Sequence, residues 1–203
     1  MIHLRLYFLT LLFCIGATGY CQKGDSPGLR IITLADPTIY YNNKTYYLYG
    51  TGSGGAANNG SGFVVYSSPD LVTWNGPAGA NNGLVLKRGD AFGTKGFWAP
   101  QIIRYNNRFY IAYTANEQIG IAVADDPAGP FINSSLRPID ESVKQIDPYI
   151  FIDGDGKKYL YHVRLINGNR IFVAEMNDDL MSIKPETLRE CISASAKWEN
   201  TAG

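Results

Sequence analysis

One short phrase occurs three times in this chain: Ala35-Asp36-Pro37-Thr38-Ile39, Trp98-Ala99-Pro100-Gln101-Ile102 and Ile146-Asp147-Pro148-Tyr149-Ile150. Each copy opens an apolar strand, runs into a polar turn and is followed by an aromatic-rich second strand. The turns are Asn42-Asn43, Asn106-Asn107 and Asp153-Gly154-Asp155-Gly156. Alternation on both sides of such a turn is the signature of a β-hairpin. Third strands follow at Phe63–Ser67, Ile119–Ala124 and Asn169–Glu175, and Ser68-Pro69-Asp70-Leu71 matches a later corner, Asn177-Asp178-Asp179-Leu180. Trp74 sits near a fourth strand of the first repeat.

Pro37, Pro100 and Pro148 lie 63 and 48 residues apart, the longer gap holding Gly/Asn-rich stretches from Gly50 to Gly62 and Gly76 to Gly83. Repeats of roughly 40–50 residues with four short strands each mark a β-propeller. The expected fold class is therefore all-β, a propeller of about three blades starting near residues 36, 99 and 147. A β-sandwich would account for the strands but not for the threefold recurrence. Fourteen Tyr and nine Phe against 22 Gly and 10 Pro suit short strands joined by tight turns.

Charge narrows the function. The 18 basic and 18 acidic residues balance with no basic stretch, which excludes nucleic acid as a partner. Residues 1–21 hold one charged side chain, Arg5, then the apolar run Leu6 to Ile15 and a small-residue exit through Ala17 and Gly19. This reads as a secretory signal peptide cleaved after Gly19 or, preferred, Cys21, and the run is too short for a membrane span. Tyr20 before Cys21 fits a lipoprotein signal poorly. A secreted or periplasmic protein is expected, with residues 22–203 forming one partial propeller domain. Cys14 and Cys21 leave with the leader, so Cys191 remains alone, without a disulfide framework, and reads as a small buried apolar residue.

In a propeller the innermost strands all enter from one face, so equivalent positions in different blades converge on the central channel. Asp36 and Asp147 hold one such position, Ala99 holds it in the second repeat, and Trp98 stands beside Ala99. An acid opening a buried strand is costly unless its charge is used or satisfied. Converging acids beside an aromatic platform make a sugar site, in which CH faces stack on the ring and carboxylates handle hydroxyls and protons.

These three motifs, in this order and spacing, resemble the first three blade motifs of glycoside hydrolase family 43, over the chain from about Ile31 to its end. The resemblance implies a five-bladed propeller with inverting chemistry on arabinofuranosides and xylosides of plant cell walls. It aligns Asp36 with the general base, Asp147 with the acid that tunes the proton donor's pKa, and Trp98 with an aromatic lining the −1 subsite. Its partners are then arabinose- or xylose-containing glycans. No cofactor is required, although some members hold an ion in the channel, so a structural calcium is allowed in a full-length parent.

The family's general acid, a Glu in a Glu-Gly-Pro motif opening the fourth blade, has no match here. The observed spacings put the next blade start between about residues 195 and 210. The expectation is a C-terminally truncated sequence, poorly stable and inactive as a hydrolase by itself. Glu199 lacks the Gly-Pro that would mark it as the acid.

Other classes fit less well. A non-catalytic carbohydrate-binding propeller keeps the platform without the acid, but both aspartates are present. An invertase-type propeller carries Asn-Asp-Pro-Asn-Gly, and Ala35-Asp36-Pro37-Thr38-Ile39 lacks its Asn and Gly. A purely structural repeat has no use for acids at equivalent strand starts. Asp153-Gly154-Asp155-Gly156 reads as a turn rather than a calcium loop, because Arg164 stands where the twelfth-position Glu belongs. His162 and Arg164 read as an inter-blade or surface hydrogen bond as readily as pocket residues. Asn43, Asn59 and Asn133 are acceptors for glycosylation only in a glycosylating host.

Overall fold

The computed structural model describes residues 31–52 and 61–200. The leader expected over residues 1–21, with Cys14 and Cys21, lies outside them, as do Asn59 and most of the Gly50–Gly62 loop.

Twelve strands are described: β1 (Leu34–Asn42), β2 (Thr45–Gly52), β3 (Gly62–Val64), β4 (Tyr66–Ser68), β5 (Leu84–Lys87), β6 (Trp98–Tyr105), β7 (Arg108–Ala115), β8 (Gln118–Ala124), β9 (Gln145–Ile152), β10 (Lys158–Leu165), β11 (Asn169–Glu175) and β12 (Arg189–Ser193). They form three blades, β1-β2-β4, β6-β7-β8 and β9-β10-β11-β12, plus a two-stranded ribbon, β3-β5. Neighbouring strands are antiparallel throughout. The all-β propeller organisation is as the sequence implies.

Local chemistry sets the turns. Asn106 and Asn107 both take positive φ, the conformation a two-residue hairpin of matching twist demands. In the first blade the turn falls one residue later than expected, on Asn43 and Lys44, because Asn42 still pairs with Thr45.

The middle blade shows how the core is made. β7 is buried along seven of its eight residues. Alternation divides them: Phe109, Ile111 and Tyr113 join Tyr49, Phe63 and Phe131 in the seam with blade one. Tyr110 and Ala112 join Ile150, Leu160 and Met176 in the seam with blade three. Each fully buried Ile or Leu contributes about 1.5–3 kcal/mol, so both seams are hydrophobic cores in their own right. Tyr40 meets Phe109 edge to face, with ring centroids 5.7 Å apart. The opposite faces of the flanking blades keep apolar side chains in solvent, Ile39 and Tyr41 on blade one, Tyr149, Phe151 and Ile171 on blade three.

Three expectations need correction. Phe63–Ser67 is not one strand: it breaks at Val65, and its halves pair with different partners, β3 with β5 and β4 with β2. Gly62 allows this, since at φ +129 a Cβ there would stand 1.8 Å from the Leu86 carbonyl oxygen. Cys191 is exposed on β12 rather than buried, because that strand lies at the edge of its sheet. Trp74 is only partly buried, in the loop before the single bridge from Asn75 to Ser67.

Candidate active site

Each innermost strand is interrupted at the same place. The register slips between Ala35 and Thr38, between Trp98 and Gln101, and between Ile146 and Tyr149, two residues facing one on the neighbouring strand. Such a bulge tolerates proline and re-aims a side chain. At the heart of each bulge the residue before proline is left-handed, with φ of 47° at Asp36, 44° at Ala99 and 54° at Asp147. A non-glycine residue in that region carries strain of order 1–3 kcal/mol, a feature concentrated at functional sites.

The three bulges meet. Asp36, Pro37 and Thr38, Ala99, Pro100 and Gln101, and Asp147, Pro148 and Tyr149 line one open depression of about 380 Å³. Asp36 and Asp147 are its carboxylates. Burial and, second, the negative charge of Asp36 push the Asp147 carboxyl above its ordinary pKa. A like charge nearby disfavours the ionised form of a carboxyl, as burial does.

Threonines at matching positions of β2 and β7 hold the bulges. The Ala99 N–H donates to Thr51 Oγ1 at 2.8 Å, and the Asp147 N–H donates to Thr114 Oγ1 at 2.9 Å. Thr51 also donates its hydroxyl to Asp36 Oδ2 at 2.6 Å. The corresponding residue of β10, opposite Ile146, is Val163. Gln101 ties blade two to blade three: its Nε2 donates to the Ile150 carbonyl at 3.0 Å, and the Ile150 N–H donates to its Oε1. Sequence reasoning missed all three polar residues, although Thr51 and Thr114 each stand six residues into the second strand of their hairpins.

Trp98 does not line that depression. Its indole, 39% exposed, borders a neighbouring one of about 370 Å³ with Lys95, Gly96, Asn116 and Glu117. Trp98 is the last regularly paired residue before the bulge, and the left-handed Ala99 that follows turns the chain toward the other depression. A larger hollow of about 700 Å³ near Asp125, Asp126 and Asp179 lies at the outer corners, away from the converging bulges.

The remaining candidates have structural occupations. Glu199 Oε2 accepts hydrogen bonds from the backbone of Ser195 and Ala196 and from the Ser195 hydroxyl, which lower its pKa. A group so held is unsuited to giving up a proton. Arg164 is buried, ion-paired with Asp140, and donates to His162. The Asp153–Gly156 segment is the turn joining β9 to β10, closed by Gly156 N–H to Asp153 O at 2.9 Å. Among the described residues no group of three or more His, Cys, Asp or Glu is gathered to hold a metal ion. No described helix is long and apolar enough to cross a membrane.

The family described as Glycosyl hydrolases family 43 matches residues 31–202. Among curated relatives, a xylosidase/arabinosidase 43A of Humicola insolens is 30% identical over 178 residues, covering 74% of this chain and 52% of that protein. An extracellular exo-α-(1→5)-L-arabinofuranosidase of Cellvibrio japonicus is 28% identical over 170 residues, covering 75% of this chain and 46% of its own. Among solved structures, an endo-1,4-β-xylanase of Bacteroides thetaiotaomicron superposes with a TM-score of 0.73 at 45% identity, covering 83% of this chain and 55% of that one. The chain thus spans about half the length of the relatives it matches.

Proposed function

This chain belongs to glycosyl hydrolase family 43, and from that premise we propose that it carries the base side of an inverting glycosidase site for arabinofuranosyl or xylosyl linkages. Asp36 is the general base: it takes a proton from the water that attacks the anomeric carbon. Asp147 is the neighbouring acid that raises the proton donor's pKa, and Trp98 offers an aromatic face to an adjoining part of the glycan. Inversion needs base and proton donor about 6.5–9.5 Å apart, leaving room for a water between the base and the sugar while the donor protonates the leaving-group oxygen. Of the residues lining the depression only Asp36 and Asp147 are carboxylates, so the donor is assigned to a residue outside that lining.

One observation carries the reading: acids at the same bulge of two different blades open into one depression. The substrate class follows the relatives' names, which cite xylosidase, arabinosidase and arabinofuranosidase. Secretion follows the leader-like residues 1–21 and the word extracellular in one relative's name. A second reading, non-catalytic glycan binding, draws on the same two-carboxylate lining.

Calorimetry with arabino- and xylo-oligosaccharides, alongside turnover of aryl arabinofuranosides and xylosides, tests both. Binding without turnover supports the base-side reading, provided that Asp36→Asn abolishes turnover in a longer version that does cleave. Undiminished cleavage by Asp36→Asn removes Asp36 as base, and absence of any sugar binding removes both readings.

A further inference from the structure

Resting on the assignment of Asp36 as base, we propose that Thr51 is its positioning residue, a hydroxyl that orients the carboxylate and leaves one chosen oxygen for water. The argument starts from the inventory of a hydroxyl: one proton to give, two lone pairs to receive. Thr51 Oγ1 receives the Ala99 N–H at 2.8 Å, a donor that cannot be reversed. With that lone pair occupied by the neighbouring blade, the hydroxyl proton points at Asp36 Oδ2, 2.6 Å away. Oδ2 is thereby an acceptor, and Oδ1 is the oxygen free to take a proton from water.

The arrangement also joins the base to the seam. Thr51 lies at the end of β2 in blade one, whereas Ala99 sits in the bulge of blade two. Any shift of one blade against the other drags the hydroxyl and reorients Asp36. Thr114 is the control supplied by the protein itself. It receives the Asp147 N–H at 2.9 Å in the same way, but the residue of its own blade equivalent to Asp36 is Ala99, which has no carboxylate to orient. Thr114 is therefore a seam residue only, and Thr51 does the same work and positions the base as well.

The test uses the whole labelled chain and reads NMR at neutral pH, so it does not depend on turnover. The expected result is a Thr51 hydroxyl proton that exchanges slowly with water. The Asp36 carboxyl-carbon resonance, assigned through Asp36→Asn, should move in Thr51→Val and return in Thr51→Ser. A Thr51 hydroxyl exchanging as fast as that of an exposed threonine overturns the proposal, and so does an unmoved Asp36 resonance in a folded Thr51→Val. If Thr51→Val does not fold, the wild-type hydroxyl decides. In a longer version that cleaves glycosides, Thr51→Val should lower kcat by roughly ten- to a hundredfold with KM held, and Thr51→Ser should restore it. A failure of the glycosidase reading leaves the NMR outcome standing, so the two failures are distinguishable.

Discussion

Arg164 donates its Nε–H to Nε2 of His162 at 3.1 Å, and both side chains are buried. The accepting nitrogen must carry a lone pair, so the imidazole is neutral. Burial first, then the Arg164 charge, pull its pKa down from 6.5 to about 4. As pH falls, the unfolded chain takes up this proton before the folded one. Stability from the neutral ring is complete above pH 6.5 and is lost between 6.5 and 4, up to roughly 3 kcal/mol. Urea midpoints at pH 7 and pH 4.5 should differ accordingly, and His162→Gln should flatten the difference. Equal wild-type midpoints would sink the idea. Asp140, whose carboxyl is lowered by its hydrogen bonds and Arg164, adds a separate loss at still lower pH.

Asp147 should respond to the charge of Asp36. Asp36→Asn removes the like charge near Asp147 while leaving burial, the larger cause of its raised pKa, in place. The Asp147 midpoint, followed by carboxyl-carbon NMR, should therefore fall in the variant but stay above that of a free aspartate. No change would mean that the acids do not sense each other.

The two-sided burial of β7 sets a mutational contrast. Ile111 is fully buried in the first seam, whereas Ile192 on the edge strand is 61% exposed. Ile111→Ala should destabilise by about 2–5 kcal/mol. Ile192→Ala should stay within about 0.5 kcal/mol. Denaturant midpoints of the two variants that match would contradict the seam as a packed core.

Ala99 gives an unusual sign. In a strand, alanine to glycine normally loses roughly 0.5–1 kcal/mol. At φ 44° the alanine is left-handed, a conformation costing about 1–2 kcal/mol that glycine avoids. Ala99→Gly should be neutral or stabilising in thermal melts, and a clear drop in Tm would show that the bulge is unstrained.

Much of this architecture is legible in the sequence because proline, turn and aromatic pair repeat in register, which places the three blade starts. The convergence of Asp36 with Asp147 follows from that symmetry alone. What stayed hidden depends on partners distant in sequence. Phe63–Ser67 reads as one apolar strand, yet Gly62 brings its first half against Leu86, a pairing that no local pattern announces. Trp98 adjoins Ala99 in sequence but opens into a different depression. The left-handed turn before each proline is equally silent, since prolines discourage helical backbone at the preceding residue without specifying this alternative.

The hydroxyls of Thr51 and Thr114 each belong to one blade and serve the opening of the next. Blades are tempting cassettes for chimeras, but a cut placed between them would part the bulges of Ala99 and Asp147 from their upstream anchors. A recombination joint inside the hairpin, ahead of the threonine, carries anchor and bulge together. The heritable unit of this ring is therefore offset from the visible wedge by about one strand.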